Sequence, residues 1–190
     1  MGSLGACRAR GVDVSLQGPH PGHAQAWPDP FIGPRFGKVL LSELLTPERV
    51  RVPLRGASKE ALLEELVGVL REAGAVDDAG AVLSAVRERE RVLSTGVGSG
   101  VAIPHGKAES VPALAMAAGV TDGAVEFDAL DGQPVRLLFL LVGPDSAAGQ
   151  HVKALSRISR LVRRDEFRER LIAAGSPEEF VAVLAEAEEG

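Results

Sequence analysis

The chain has 190 residues, of which 45% are hydrophobic and 25% charged, as is typical of one globular domain of ordinary size. Its formal net charge of −5 is not offset by any stripe of Lys and Arg, which argues against general nucleic-acid binding. The single cysteine, Cys7, excludes an internal disulfide framework and fits a reducing cytoplasm.

The N-terminal residues 1–37 differ in composition from the rest of the chain. They contain seven glycines and five prolines, a density that breaks both helical and strand periodicity. We interpret them as a disordered extension or as the result of a start codon placed too far upstream; the alternative is a docking arm around Trp27, Phe31 and Phe36. No secretory signal and no apolar run of bilayer-spanning length is found, so we expect a cytoplasmic protein without membrane insertion.

Regular patterns begin at Lys38, and residues 38–190 are predicted to form one domain. Alternation predicts a strand at 49–54, and a helix follows from a Ser58 N-cap to Gly74. A second helix starts at Asp77 or Asp78 and runs toward Arg89. The later predicted elements are strands at 113–121 and 135–143, a turn at Asp131-Gly132, and helices at 148–163, 165–173 and 177–187. Helices that cover both faces of a sheet predict an α/β sandwich of three layers.

Several familiar motifs are absent from the glycine-rich centre of the chain. A dinucleotide-binding GxGxxG would need glycine at Val101, and a phosphate-binding P-loop would need Ser or Thr at Ala108. Ser99 lacks the GxSxG spacing of a serine hydrolase. Zinc is disfavoured because the folded part holds only two histidines and no cysteine. These observations argue against nucleotide binding, serine hydrolysis and metal chemistry.

His105 follows a short apolar run, 101–103, and lies between Pro104 and Gly106. Proline prevents a helix from following the run directly, and glycine permits a sharp exit. The imidazole is therefore predicted to project from the end of a strand. The alternative for this residue is a structural hydrogen-bonding role.

His151 shares a predicted helical face with Leu155, Ile158 and Val162, so its side chain should turn inward. It lies in the first turn of that helix, where free N–H groups and the helix dipole favour an anion and lower the histidine pKa. The alternative is a core histidine whose two ring nitrogens are satisfied by the backbone.

Arg89 belongs to an alternating run of Arg and Glu at 87–91, which is usually a solvated helix face. Because the run ends beside the Ser94-Thr95-Gly96 loop, its guanidinium could instead bind a phosphoryl group in bidentate fashion. Together these residues indicate a histidine nucleophile that accepts a phosphoryl group, stabilised by a second imidazole, a guanidinium and N–H groups of the loop. No carboxylate pair for magnesium is evident, and we expect no cofactor or metal.

The segment at 89–107, RERVLSTGVGSGVAIPHGK, closely resembles the active-site signature of type-2 enzyme IIA domains of the bacterial phosphotransferase system. This fructose/mannitol group includes the nitrogen-regulatory enzyme IIA proteins. The likeness continues through 126–144 and 150–162 and covers about 39–187. It implies a mixed β-sheet flanked by helices.

The resemblance also implies a role for each residue. His105 matches the phosphorylated histidine, which accepts its phosphoryl group from the phosphocarrier protein HPr or its nitrogen-branch counterpart. His151 matches the second active-site histidine, which stabilises the phosphate, and Arg89 matches the arginine near the phosphate. We expect an apolar collar with a polar rim around His105 as the partner surface.

Three functions follow from the resemblance. As a regulator, the protein would control target proteins through its phosphorylation state; as a sugar-transport component, it would pass the group to a cysteine of an enzyme IIB. The chain contains no IIB or IIC segment after its last predicted helix, which favours the regulatory role. A non-catalytic relative used for binding is disfavoured because the three polar site residues are present.

Overall fold

A computed structural model describes residues 39–189 of the chain. The predicted N-terminal extension, 1–37, lies outside the described residues, so its nature and the start of the domain at residue 38 stay predictions. Within 39–189, no helix combines the length and apolar composition that crossing a membrane requires.

The described part of the chain forms one sheet with helices on both faces. The strands are β1 (Val50–Leu54), β2 (Gly96–Gly98), β3 (Val101–Ala102), β4 (His105–Lys107), β5 (Ala115–Val125) and β6 (Val135–Gly143). The helices are α1 (Leu41–Leu44), α2 (Lys59–Glu72), α3 (Ala79–Val92), α4 (Ala148–Leu161), α5 (Asp165–Ala173) and α6 (Pro177–Glu189). The strand order is β1-β5-β6-β3-β2, and β4 also pairs with β6.

The sheet is mixed. Strand β6 pairs antiparallel with β5 and parallel with both β3 and β4, whereas β1 is parallel to β5. Successive residues of β6 point to opposite faces, so that Leu138 and Leu140 pack in the core under α2 and α3. Leu137 and Phe139 pack in the core under α1, α4, α5 and α6. The predicted three-layer α/β sandwich is therefore confirmed.

The long elements begin where their capping residues predict. The Ser58 hydroxyl accepts a hydrogen bond from the Ala61 N–H at 3.2 Å, and the Asp78 carboxylate accepts one from Ala81 at 2.9 Å. Gly74, just beyond α2, has φ +66°, the left-handed conformation in which glycine ends helices. Strand β6 and helix α5 have the predicted bounds.

Other bounds differ from the prediction: β1 begins one residue later, α4 ends two residues earlier and α6 ends two residues later, and the larger differences are in α3 and β5. Helix α3 continues past Arg89 to Val92. Strand β5 begins at residue 115 rather than 113 and continues to Val125, because its polar end still pairs with β6 through Val125 and Val135. Backbone pairing thus extends the strand beyond its apolar run.

The Gly/Ser-rich segment is a hairpin rather than an open loop. Its strand β2 pairs antiparallel with β3, and Gly98, Ser99 and Gly100 all have positive φ in the turn between them. The glycines here serve the backbone conformation of a tight turn.

A buried carboxylate joins the two ends of the described chain. Glu188 of α6 accepts hydrogen bonds from the backbone N–H groups of Leu41 and Ser42 at 2.8 and 2.9 Å. It also pairs with Arg157 of α4 at 2.7 Å, and its side chain is 2% exposed. All its partners are donors, which is the condition under which a buried carboxylate is tolerated.

Candidate active site

Three elements bring the predicted site residues together. Arg89 lies in the last turn of α3, His105 is the first residue of β4, and His151 lies in the first turn of α4. The Arg89 Nε atom is 3.1 Å from His105 Nε2. The two imidazole rings lie edge to face, with centroids 5.9 Å apart and planes at 67°. Residues that are 62 positions apart in sequence at most thus share one site.

The hydrogen bonds of His105 fix which ring nitrogen carries the proton. Its Nδ1 atom lies 2.9 Å from the carbonyl oxygen of Ile103, which can only accept a hydrogen bond. The Nε atom of Arg89 can only donate, so His105 Nε2 is the acceptor in that contact. His105 is therefore the neutral tautomer with its proton on Nδ1 and a lone pair on Nε2.

Gly106 has a different role from the predicted sharp exit. The chain does not turn away after His105 but continues as β4, with His105 opposite Leu141 of β6. A Cβ atom on Gly106 would lie 2.9 Å from the Val86 backbone nitrogen. The glycine is needed because α3 packs directly against this strand, and that packing carries Arg89 to the imidazole.

The alternating charged run does not form a uniformly solvated face. Arg87 binds Glu60 and Glu64 of α2, the latter at 2.8 Å. Arg89 instead turns to His105 and donates from Nη1 to the Leu93 carbonyl oxygen at 2.9 Å. The guanidinium of Arg87 therefore binds α2, whereas that of Arg89 contacts His105.

His151 is 4% exposed and points into the protein, as its helical face predicts. The alternative of a core histidine with both nitrogens satisfied is not supported, because its Nδ1 atom is buried and has no hydrogen-bond partner among residues 39–189. An unpaired polar atom in the interior is rare and costs free energy. One ring nitrogen of His151 therefore has hydrogen-bonding capacity that the described part of the chain does not use.

Both imidazoles favour the neutral form. Burial lowers the pKa of His105 below its usual value and the Arg89 guanidinium lowers it further, against a hydrogen bond to Ile103 that raises it. Burial lowers the pKa of His151 to about 4, with added lowering from the charges of His105 and Lys107. The direction agrees with the prediction for His151, but burial, rather than the start of the helix, is the main cause.

The site opens to solvent through a cleft of about 550 Å³ that all three residues line. Val92 and Val152 at its rim are 81% and 66% exposed. Lys107 also lines the cleft and pairs with Asp145 at 2.9 Å. These two exposed apolar side chains lie at the cleft that His105 lines, where an apolar partner surface was expected.

The predicted use of loop N–H groups at the site is not supported. The N–H groups of Thr95, Gly96 and Ser99 donate instead to the side chains of Glu90, Ser94 and Asp131.

The sequence did not lead us to predict that Glu90 is buried, yet it is only 8% exposed. A signal was present, because Glu90 continues the buried stripe of Val82 and Val86 at four-residue intervals.

Lys107 was also overlooked. It lies two residues after His105 in the same strand and therefore on the same side of it. That spacing places an ammonium group beside the imidazoles, where it lines the cleft. Strand β4 has only three residues, too few for a strand to be predicted from periodicity. The alternation of side chains that places Lys107 on the side of His105 was therefore not expected.

Known proteins are similar to this chain in both sequence and fold. The family described as "Phosphoenolpyruvate-dependent sugar phosphotransferase system, EIIA 2" matches residues 43–187. The chain is 38% identical over 144 residues to a fructose-specific EIIABC component from Bacillus subtilis, covering 76% of this chain and 23% of that protein's length. It is 36% identical to a nitrogen regulatory protein from Bradyrhizobium diazoefficiens, covering 76% and 94%. The crystal structure of nitrogen regulatory protein IIA-Ntr from Neisseria meningitidis superposes with a TM-score of 0.71 at 35% identity, covering 76% and 98%. The chain therefore belongs to the type-2 enzyme IIA family of the phosphotransferase system.

Proposed function

We propose that residues 38–190 form a phosphohistidine carrier that accepts a phosphoryl group on Nε2 of His105. One observation carries the proposal: the proton of His105 is on Nδ1, and Nε2 presents its lone pair in an open cleft next to a guanidinium. A neutral imidazole nitrogen is the nucleophile that such a transfer requires.

The step balances without an added acid or base. The Nε2 lone pair forms the new P–N bond while the P–N bond of the donor's phosphohistidine breaks, and the donor imidazole leaves with that electron pair. No proton moves on the acceptor, because the ring keeps its Nδ1 proton. The positive charge that develops on the ring strengthens the hydrogen bond from Nδ1 to the Ile103 carbonyl.

The phosphoryl group takes the position now held by the Arg89 guanidinium, which then binds the phosphoryl oxygens. A planar guanidinium suits two oxygens of a phosphoryl group. The His151 imidazole, which lies beside the His105 ring and lines the same cleft, supplies a further polar contact for the group. Stabilisation of charge on the transferred oxygens is the main requirement of phosphoryl transfer.

The donor in this proposal is an HPr-like phosphocarrier protein or its nitrogen-branch counterpart. Support comes from the exposed Val92 and Val152 at the cleft rim, next to the charged Arg89 and Lys107. An apolar centre with a polar border is typical of transient protein interfaces.

Downstream, we propose a nitrogen-regulatory role in which the phosphorylation state selects which target protein is bound. Support comes from relatives named nitrogen regulatory proteins, which match across nearly their full length, including 94% of the protein from Bradyrhizobium diazoefficiens. The second candidate is transfer to an enzyme IIB in sugar uptake, favoured by the 38% identity to part of a fructose-specific EIIABC component.

The test is incubation with phosphoenolpyruvate, enzyme I and HPr, followed by measurement of protein-bound phosphate. The wild type should gain one acid-labile phosphate and His105→Ala none. His151→Ala should be labelled more slowly. Label retained by His105→Ala would contradict the assignment of the nucleophile. Transfer of the label to the cysteine of a purified fructose-type enzyme IIB would favour the transport role.

A further inference from the structure

Glu90 is a buried carboxylate that the transfer step does not use. Its side chain is 6% exposed. It accepts hydrogen bonds from Thr95 at both the backbone N–H, 3.0 Å, and the hydroxyl, 2.5 Å. It also pairs with the ammonium group of Lys59 at 2.7 Å. The hydrogen bonds and the ion pair lower the pKa of Glu90 in spite of its burial, which acts to raise it.

The cation that pairs with Glu90 stands in an unfavourable place for the helix that carries it. Lys59 is the first residue of α2, where the helix dipole disfavours a positive charge. It lies over the ring of Phe127 at 4.9 Å from the centroid and reaches Asp128 at 3.2 Å. Contacts with both carboxylates offset this position, and Lys59 is held at the Glu90 carboxylate.

A continuous set of hydrogen bonds leads from Glu90 to the reactive imidazole. Glu90 holds the N–H and hydroxyl of Thr95, and the Thr95 carbonyl accepts from the Ile103 N–H at 2.9 Å. The Ile103 carbonyl in turn accepts the Nδ1 proton of His105 at 2.9 Å. The position of the carbonyl that selects the His105 tautomer therefore depends on the position of Thr95.

Glu90 also adjoins the arginine of the site. Arg89 precedes Glu90 in α3 and donates a hydrogen bond to the Leu93 carbonyl oxygen at the end of that helix. Glu90 accepts a hydrogen bond from the Thr95 N–H, just beyond the same end. Glu90 is therefore next to Arg89 in sequence and is hydrogen-bonded to Thr95, from which the hydrogen bonds lead to His105.

We propose that Glu90, held by Lys59, is a positioning residue for phosphoryl transfer: through Thr95 and Ile103 it fixes the ring orientation and tautomer of His105. The inference rests on the proposed function only for its kinetic consequence. The tautomer itself is a property of the resting protein and is measured without any transfer.

The chain offers a matched control in Glu188. Like Glu90, this carboxylate is buried, accepts hydrogen bonds from the backbone and pairs with a cation, in this case Arg157. None of these partners lines the cleft. In both Glu90→Gln and Glu188→Gln, a neutral amide replaces the carboxylate, which removes a buried ion pair and weakens the charge-assisted hydrogen bonds. Both variants should lose stability to a similar degree, so loss of stability alone does not distinguish them.

The experiment compares full-length variants by ¹⁵N NMR of the histidine rings and by the rate of His105 phosphorylation with phosphoramidate. This small donor needs no protein docking. Because Glu90 holds both Thr95 and the end of α3 that carries Arg89, Glu90→Gln should release the His105 ring from the Ile103 carbonyl and from Arg89 and so populate the Nε2–H tautomer. Phosphorylation should slow about tenfold per folded molecule, the effect of losing one charge-assisted hydrogen bond. Glu188→Gln should keep the Nδ1–H tautomer and a rate within about twofold of the wild type.

A second pair of variants serves if Glu90→Gln does not fold. Thr95→Val removes the hydroxyl at similar volume and should behave as Glu90→Gln, whereas Thr95→Ser should restore tautomer and rate. An unchanged tautomer and rate in both Glu90→Gln and Thr95→Val would overturn the inference and leave Glu90 a structural residue. A wild type that neither phosphoramidate nor HPr phosphorylates on His105, with the tautomer still shifted in Glu90→Gln, would overturn the proposed function and support the positioning role.

Discussion

The neutral state of His151 predicts a specific dependence of stability on pH. Burial lowers the pKa of His151 to about 4 in the folded protein, whereas an unperturbed histidine in the unfolded chain has a pKa of about 6.5. Between these values the unfolded state binds a proton that the folded state does not. The free energy of unfolding therefore falls as the pH falls through this window.

The size of the effect follows from the width of the window. Each pH unit within this window lowers the free energy of unfolding by about 1.4 kcal/mol, so the whole window lowers it by about 3 kcal/mol. This loss of stability is absent above pH 6.5 and complete below pH 4. The substitution His151→Gln removes the titration and keeps a polar side chain of similar reach. The stability of the wild type relative to His151→Gln should fall by about 3 kcal/mol between pH 7 and pH 4.

The assay is urea unfolding of both proteins followed by circular dichroism of the helices at several pH values. Circular dichroism is preferred because the single tryptophan, Trp27, lies outside the described residues. Titrations of carboxylates remote from the site are common to both proteins and cancel in the difference, and an NMR titration of His105 in both proteins gives the part that His105 contributes. Parallel stability curves, or an NMR titration of His151 near pH 6.5, would refute the reasoning that burial holds this imidazole neutral.

Two further substitutions test the geometry of the site. Arg89→Lys replaces a planar fork with a point charge and should slow labelling of His105 about tenfold, with the rate of phosphate incorporation as the measurement; a wild-type rate would mean that Arg89 is not needed as a fork. Gly106→Ala should lower the free energy of unfolding by about 1–3 kcal/mol, because the new Cβ meets the α3 backbone. Gly123→Ala is its control in urea unfolding, since a Cβ there meets no atom within 4 Å; equal effects of the two substitutions would contradict the close approach of α3.

The elements that could be predicted from sequence are those in which one local signal dominates. Helix α2 combines an N-cap at Ser58, an apolar stripe and a terminating Gly74, and each of these acts within a few residues. Strand β6 is an apolar run buried on both faces, and its length distinguishes it from a helix. Caps and burial patterns of this kind are readable without knowledge of the rest of the fold.

The elements that escaped prediction are defined by partners far away in sequence. Strand β4 has only three residues, and it is a strand because it pairs with β6, more than thirty positions later. The need for glycine at position 106 comes from the approach of α3. The role of Glu90 depends on Lys59, which precedes it by about thirty residues. No periodicity within a short segment contains these contacts.

The site itself shows the same division. Spacing alone placed His151 on an inward face and His105 at a strand end, but the contact between their elements comes from the sheet, in which β4 lies beside β6. The tautomer of His105 depends on Ile103 and Arg89 together. A sequence indicates which side chains have the chemistry to react, whereas the ring nitrogen that carries the proton is set by hydrogen bonds that only the fold supplies.

The low pKa of His151 also bears on how the site would respond to a phosphoryl group. In the resting protein the nearby positive charges are those of Arg89 and Lys107, and a protonated His151 would be buried close to them. A phosphoryl group on His105 would bring nearly two negative charges into the same cleft and would favour the protonated imidazole. The protonated imidazole, which lies beside the His105 ring, would then be available as a charged donor. The burial that keeps His151 neutral before transfer thus makes its protonation depend on the group that it is proposed to stabilise.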